Sequence, residues 1–110
     1  MRYFAGLDCG TTTTKAVIID RKRAILGSHV CRSGARLLES AEAAFKEALE
    51  LAGLDRDDVG FVVATGFGRR SISFAQDSKT EITCHAKGCH FYCPEEITVI
   101  DIGGQDNKVV

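Results

Sequence analysis

The stretch DCGTTTTKAV, Asp8 to Val17, follows the apolar segment YFAGL and runs into a second apolar segment, KAVIID. Its acid, glycine, threonine run and lysine obey the pattern D-x-G-x4-K-x-V, which recurs in DIGGQDNKVV, Asp101 to Val110. Each copy predicts a strand, a glycine-containing turn and a second strand. One D-x-G turn alone is typical of any tight hairpin, but two copies in the same register indicate a shared function.

Periodic patterns predict the elements around the first copy. The segments RYFAGLD, KAVIID and AILGSHV, separated by short turns, predict an antiparallel meander. Apolar residues that recur at helical spacing predict a helix over 37–52, which Gly53 terminates. VGFVVATG reads as an interior strand, and ITVID as a strand before the second copy. The capping pattern Ser78-x-x-Glu81 predicts a second helix that begins at Ser78 and stops near Pro94.

The predicted order βββαβαβ indicates an α/β fold with a mixed sheet and flanking helices. The second D-x-G copy begins a new unit of the same kind. We therefore predict a first domain over residues 1–95, and over 96–110 the first strand and turn of a second, truncated domain. Because Val110 lies within an apolar strand, we expect the 110 residues to be the N-terminal part of a longer protein.

The composition narrows the class of protein. Hydrophobic residues make up 45% of the chain and charged residues 26%, with a formal net charge of −1, so no basic footprint for nucleic acid or anionic membrane is present. The sequence has neither a signal peptide pattern nor a run of about 20 apolar residues. These features predict a cytoplasmic protein. Five cysteines, an odd number, favour reduced thiols over a complete disulfide framework.

The residue types in the two turns are those that bind phosphate. Successive backbone N–H groups form a concave nest for anionic oxygens, and glycine allows a close approach. Threonine hydroxyls and Lys15 add donors and charge. Asp8 and Asp101, each at the end of its strand, are placed to hold Mg²⁺ through water. Two such turns that face each other would bind a nucleotide's phosphates, although neither the P-loop pattern nor the dinucleotide pattern occurs.

The motifs GLDCGTTTTKAVIID, ATGFGRR, TEITCHAKG and TVIDIGGQDNKVV, in this order, resemble the ATP-dependent activators of 2-hydroxyacyl-CoA dehydratases. These belong to the BadF/BadG/BcrA/BcrD group with the benzoyl-CoA reductase ATPase subunits, and the resemblance spans Tyr3 to Val110. It implies ribonuclease H-like domains of the acetate and sugar kinase/Hsp70/actin ATPase fold. It also implies ATP and Mg²⁺ as ligands, a homodimer that shares one [4Fe-4S] cluster, and ATP-driven electron transfer to a dehydratase or reductase component.

The resemblance assigns residues to both turns. The first phosphate turn comprises Asp8, Gly10, Thr11, Thr12, Thr13, Thr14 and Lys15. The second comprises Asp101, Gly103, Gly104, Gln105, Asp106 and Lys108. Either Gln105 or Asp106 would orient the attacking water. None of the five cysteines matches the family's cluster motifs, so we expect no iron–sulfur ligand in this chain, and we expect the 110 residues alone to be inactive.

Two rival functions stay open. One is a small-molecule (sugar) kinase of the same fold, although no sugar-binding acid is evident. The other is a non-catalytic metal- or redox-binding fragment built on CHAKGCHFYC, where His85, Cys89 and Cys93 recur at i, i+4 and i+8. On a regular helix the outer two of these stand about 12 Å apart, too far to share an ion. Buried cysteines also behave as small hydrophobes.

Arg69 and Arg70 follow the glycine turn TGFG. The sequence leaves their role open between solvated charge, contact with the partner protein and a hinge.

Overall fold

The computed structural model describes residues 2–95, 98, 100–102 and 107–109, with only the backbone described for the last two segments. Its contacts divide the chain into two compact units, Met1–Ser78 and Lys79–Val110. The domain boundary between residues 95 and 96 remains a prediction. The elements are β1 (Tyr3–Cys9), β2 (Thr13–Asp20), β3 (Ile25–Arg32), α1 (Leu37–Ala52), β4 (Val59–Thr65), β5 (Asp77–Ser78), α2 (Glu81–Tyr92), β6 (Ile100–Ile102) and β7 (Asn107–Val109).

The first unit is built on a five-stranded sheet in the order β3-β2-β1-β4-β5. Strands β1, β2 and β3 form the predicted antiparallel meander. Strand β4 pairs parallel to β1 and lies inside the sheet between β1 and β5, as its apolar run predicts. Strand β5 has two residues, too few to show a period in the sequence.

Helix α1 covers one face of the sheet. Its apolar stripe is buried, and Gly53 ends the helix in the left-handed region at φ 70°, as predicted. Three of the five buried residues are alanines, whose small side chains let the helix approach β3 closely. At Gly27 of β3 an added Cβ would lie 2.3 Å from the Ala48 carbonyl oxygen. Glycine at this position therefore permits the contact between helix and sheet. The buried stripe consists of Ala41, Ala44, Phe45, Ala48 and Leu49.

Alternation along β1 decides which side chains reach the core. Ala5, Leu7 and Cys9 are buried against α1, so Asp8 lies on the opposite face of the sheet. Strand β2 alternates in the same way, and Lys15 is exposed between buried neighbours. We call the side of the sheet that carries Asp8 and Lys15 the open face.

The second unit contains α2 and the β6–β7 hairpin. The prediction that Ser78 caps α2 is wrong: Thr80 is the N-cap, and its hydroxyl accepts a hydrogen bond from the Thr83 N–H at 3.3 Å. The backbone of Ser78 instead pairs with Ala64 of β4. Helix α2 ends at Tyr92, two residues before Pro94, as predicted.

The strand, turn and strand predicted around the second D-x-G copy appear as β6 and β7, which pair antiparallel. No helix in the described part of the chain is long and apolar enough to cross a membrane.

Candidate functional site

The strand directions bring three loops to one edge of the first unit's sheet. Strands β1, β3 and β4 end at this edge and β2 begins there, because β2 is antiparallel to both of its neighbours and β4 is parallel to β1. The loops are the turn over residues 10–12, the segment after β3 and the glycine loop over residues 66–68. The carboxyl ends of parallel strands are where open α/β sheets bind ligands.

The first turn is closed by a hydrogen bond from the Gly10 N–H to the Thr13 carbonyl at 3.0 Å. An added Cβ at Gly10 would lie 2.9 Å from the same carbonyl oxygen, so the turn requires glycine. Thr11 and Thr12 are exposed at the tip. The tip therefore presents backbone N–H groups and hydroxyls to solvent, as a phosphate-binding turn requires.

Ser33, the residue after β3, stabilises this turn through hydrogen bonds. Its hydroxyl donates to the Gly10 carbonyl at 2.6 Å, and its N–H donates to the Thr12 carbonyl at 2.9 Å. The Thr14 hydroxyl lies 2.7 Å from the Ser33 oxygen and donates to it, because the Ser33 hydrogen is already used on Gly10. The sequence does not reveal Ser33, since nothing local links it to residues 10–14.

Thr14 differs from the other threonines of the run. It is completely buried on the core face of β2, and its hydroxyl is bonded to Ser33. The structure therefore places Thr14 in the core and not at the exposed tip of the turn, with its hydroxyl bonded to Ser33. The physical reason is strand alternation: Thr14 and Lys15 are consecutive and point to opposite faces.

The glycine loop after β4 packs on the end of β1. Gly66 has φ 93°, and an added Cβ would lie 2.7 Å from Asp8 Oδ1. The Gly68 N–H donates to the Cys9 carbonyl at 2.9 Å. Arg69 closes the loop by donating from Nη1 to the Gly66 carbonyl at 3.0 Å, whereas Arg70 is exposed. The Arg69 side chain therefore stabilises the loop. Gly66, in the left-handed region, lies against the Asp8 carboxylate.

Three polar residues share the open face at this edge. In the strand register Asp8 is the partner of Lys15 on β2 and of Thr65 on β4. Partnered residues project to the same face, so the carboxylate, the ammonium and the hydroxyl occupy neighbouring positions. Thr65 Oγ1 is buried and has no hydrogen-bond partner within the described residues. The sequence analysis did not select Thr65, because only the pairing of β1 with β4 reveals its position.

Cys9 is the last residue of β1, directly before the first turn, and its side chain lies in the core. Burial raises the pKa of the Cys9 thiol to about 11, and the neighbouring charges of Asp8 and Cys31 act in the same direction. The group is therefore a neutral thiol at physiological pH. A buried thiol with a raised pKa is a poor nucleophile.

The second turn is described only in part. Asp101 of β6 is the register partner of Lys108 of β7, so the backbone positions match those of Asp8 and Lys15. The remaining predicted site residues of this turn lie outside the described residues: Gly103, Gly104, Gln105 and Asp106.

The cysteine-containing helix shows no metal site in its described residues. The described residues contain no group of three or more His, Cys, Asp or Glu side chains that could hold an ion. Cys89 lies within α2, and Cys93 follows its last turn as the C-cap, donating from its N–H to the Cys89 carbonyl at 2.8 Å. All five cysteines are free thiols.

The site combines an acid, a lysine and an exposed glycine–threonine turn at one edge of a mixed sheet. Over residues 5–110 the sequence matches the BadF/BadG/BcrA/BcrD ATPase family. The chain belongs to this family. Among curated relatives of the family, it is 40% identical over 108 residues to the activator of lactoyl-CoA dehydratase from Anaerotignum propionicum, covering 98% of this chain and 41% of the relative.

Solved structures of the family match the fold. Component A of (R)-2-hydroxyglutaryl-CoA dehydratase from Acidaminococcus fermentans superposes with a TM-score of 0.92 at 36% identity, over 100% of this chain and 42% of that one. The activator of 2-hydroxyisocaproyl-CoA dehydratase from Clostridium difficile, solved with bound ADPNP, gives 0.88 at 40% identity, over 97% and 40%. The fold is thus the actin/Hsp70-like fold of these ATPases. The chain spans about two fifths of the length of the relatives it matches.

Proposed function

We propose that this chain is the phosphate-binding part of an ATP-binding and ATP-hydrolysing activator that drives electron transfer to a 2-hydroxyacyl-CoA dehydratase or a related reductase. The observation that carries the proposal is the first turn: an exposed Gly–Thr tip with Asp8 and Lys15 beside it on the open face. A family relative of the same fold was solved with the ATP analogue ADPNP. The kinase alternative has no comparable observation in its favour.

The residues of the first turn have separate roles in this proposal. The backbone N–H groups and the Thr11 and Thr12 hydroxyls bind phosphate oxygens, with Gly10 permitting their approach. Lys15 supplies positive charge from the open face. Ser33 and Thr14 hold the turn in shape without touching the nucleotide.

Asp8 fits a magnesium role. Its carboxylate lies on the open face, beside the turn that binds the phosphates, and Mg²⁺ typically takes one or two protein carboxylates while keeping several waters. When bound, the ion neutralises charge on the phosphate oxygens. Asp8 would then orient the hydrated ion through hydrogen bonds to its waters.

The second turn completes the proposed machinery. Asp101, Gly103, Gly104 and Lys108 would contribute further phosphate and magnesium contacts. Either Gln105 or Asp106 would orient the attacking water.

The proposals for the partner protein and the redox group concern the complete protein, of which these 110 residues are a part. We propose a dehydratase or reductase component as the electron acceptor, and a homodimer that holds a [4Fe-4S] cluster with ligands outside these 110 residues.

The role of Asp8 is tested by the substitution Asp8→Asn in the complete protein. Loss of a charged hydrogen-bonding group of this kind costs about 1.5–3 kcal/mol, so we expect Mg·ATP turnover to fall about 10- to 100-fold. The matched control is Asp57→Asn, the same chemical change at an exposed position of the turn before β4. Circular dichroism should show both variants folded. Turnover near the parent level in Asp8→Asn refutes the assignment.

A further inference from the structure

Thr65 is the last residue of β4 and the register partner of Asp8 on the parallel strand β1. Val62 and Ala64 of the same strand are buried in the core, so Thr65 projects to the open face with Asp8. Its Oγ1 is closed off from solvent and makes no hydrogen bond within the part of the chain that the structure describes. A buried hydroxyl without a partner is rare in native proteins.

The surroundings of Thr65 are rigid. The next residue, Gly66, packs against the Asp8 carboxylate, and the loop is fixed by the hydrogen bonds from Gly68 to Cys9 and from Arg69 to Gly66, at 2.9 and 3.0 Å. The residue as a whole stays partly exposed although Oγ1 is buried. A rotation about χ1 is thus enough to move the hydroxyl toward the open face, with no movement of the backbone.

No structural role explains the hydroxyl. Oγ1 caps no helix and bonds no loop carbonyl in the described residues. Valine has the same shape and would fill the space without leaving a polar atom unsatisfied. What lies next to Thr65 is a carboxylate and, one strand further, a lysine. A carboxylate complements a hydrated cation, and an ammonium complements an anionic oxygen.

We propose that Thr65 is a further binding residue of the phosphate site, whose hydroxyl rotates to hydrogen-bond the phosphate group of the nucleotide held beside Asp8. The inference rests on the proposed function and extends it to the loop after β4. The first turn and the end of β4 then both contact the nucleotide. The Thr65 hydroxyl gains a hydrogen-bond partner only when the nucleotide is bound.

The test compares Thr65→Val and Thr65→Ser in the complete protein, with ADPNP and Mg²⁺ as the probe and isothermal titration calorimetry as the assay. We expect Thr65→Val to weaken ADPNP binding about tenfold, the effect of one hydrogen bond. Thr65→Ser keeps the hydroxyl and should bind within about threefold of the parent. The thermal midpoint of the nucleotide-free Val variant should equal or exceed that of the parent, because an unsatisfied hydroxyl has been removed.

Thr83→Val serves as the control, since Thr83 is exposed on α2; it should bind ADPNP like the parent. If Thr65→Val is too unstable to titrate, Thr65→Ala, which removes the same hydroxyl with less bulk, is titrated in its place. Parent-like ADPNP affinity of Thr65→Ala then overturns the inference. Parent-like affinity of Thr65→Val also overturns it while leaving the proposed function intact. A parent protein that binds no ADPNP overturns both.

Discussion

Ser33→Ala is a demanding test of how the first turn is built. The substitution removes the hydroxyl that donates to the Gly10 carbonyl and accepts from Thr14, but it keeps the backbone bond to Thr12. Thr14 is completely buried, so its hydroxyl is left without a partner. That loss costs about 1–3 kcal/mol, and the bond to Gly10 about 1 kcal/mol more. We therefore expect the free energy of unfolding to fall by about 2–4 kcal/mol.

The companion variant is Thr14→Val, alone and combined with Ser33→Ala. Removing both hydroxyls eliminates the unsatisfied group, so the double variant should be more stable than the sum of the single changes predicts, by about 1–2 kcal/mol. Urea unfolding of the complete protein measures the free energy of unfolding of the parent, the two single variants and the double variant. Strict additivity, or a loss below about 0.5 kcal/mol in Ser33→Ala, would show that the network does not support the turn.

Three further predictions concern Gly27 and the cysteines. Gly27→Ala should lower the free energy of unfolding by about 1–3 kcal/mol, because the new Cβ meets the Ala48 carbonyl oxygen, whereas Gly6→Ala, with nothing within 4 Å, should be neutral in the same denaturation assay. Cys9 should resist alkylation by iodoacetamide at pH 8 while the exposed Cys93 reacts, and mass spectrometry of the digested protein shows which is labelled. Because the pKa of Cys9 rises from 9.0 to about 11 on folding, its contribution to stability is intact below pH 9 and is lost toward pH 11, a loss that Cys9→Ala should abolish.

The sequence predicted those elements of the fold whose positions depend on neighbouring residues alone. Alternation and short turns predicted the meander, and helical spacing followed by Gly53 predicted the extent of α1. The cap of α2 was misassigned because Ser78 and Thr80 are both suitable capping residues. Pairing of Ser78 with β4 decides between them, and a two-residue strand leaves no period in the sequence.

In the candidate site too, the sequence predicted what depends on neighbouring residues and missed what depends on contacts between distant segments. The D-x-G pattern identified Asp8 and Lys15, which the strand register places side by side on the open face. It could not separate Thr14 from its neighbours, because the face each residue occupies depends on where β2 begins. Ser33 and Thr65 were missed because their contacts and pairings with the first turn join distant segments of the chain. Only the assembled sheet brings those segments together.

The central claim, that the first turn binds the phosphates of ATP, is tested most directly by hydrogen exchange of the complete protein with and without ADPNP and Mg²⁺. The account predicts slower exchange on nucleotide binding for the backbone amides of residues 10–12, in the first turn, and for those of 66–68, in the loop that packs on Asp8. Amides of α1 that face away from this edge should exchange at an unchanged rate. Nucleotide binding that leaves the exchange of residues 10–12 unaltered would contradict the account.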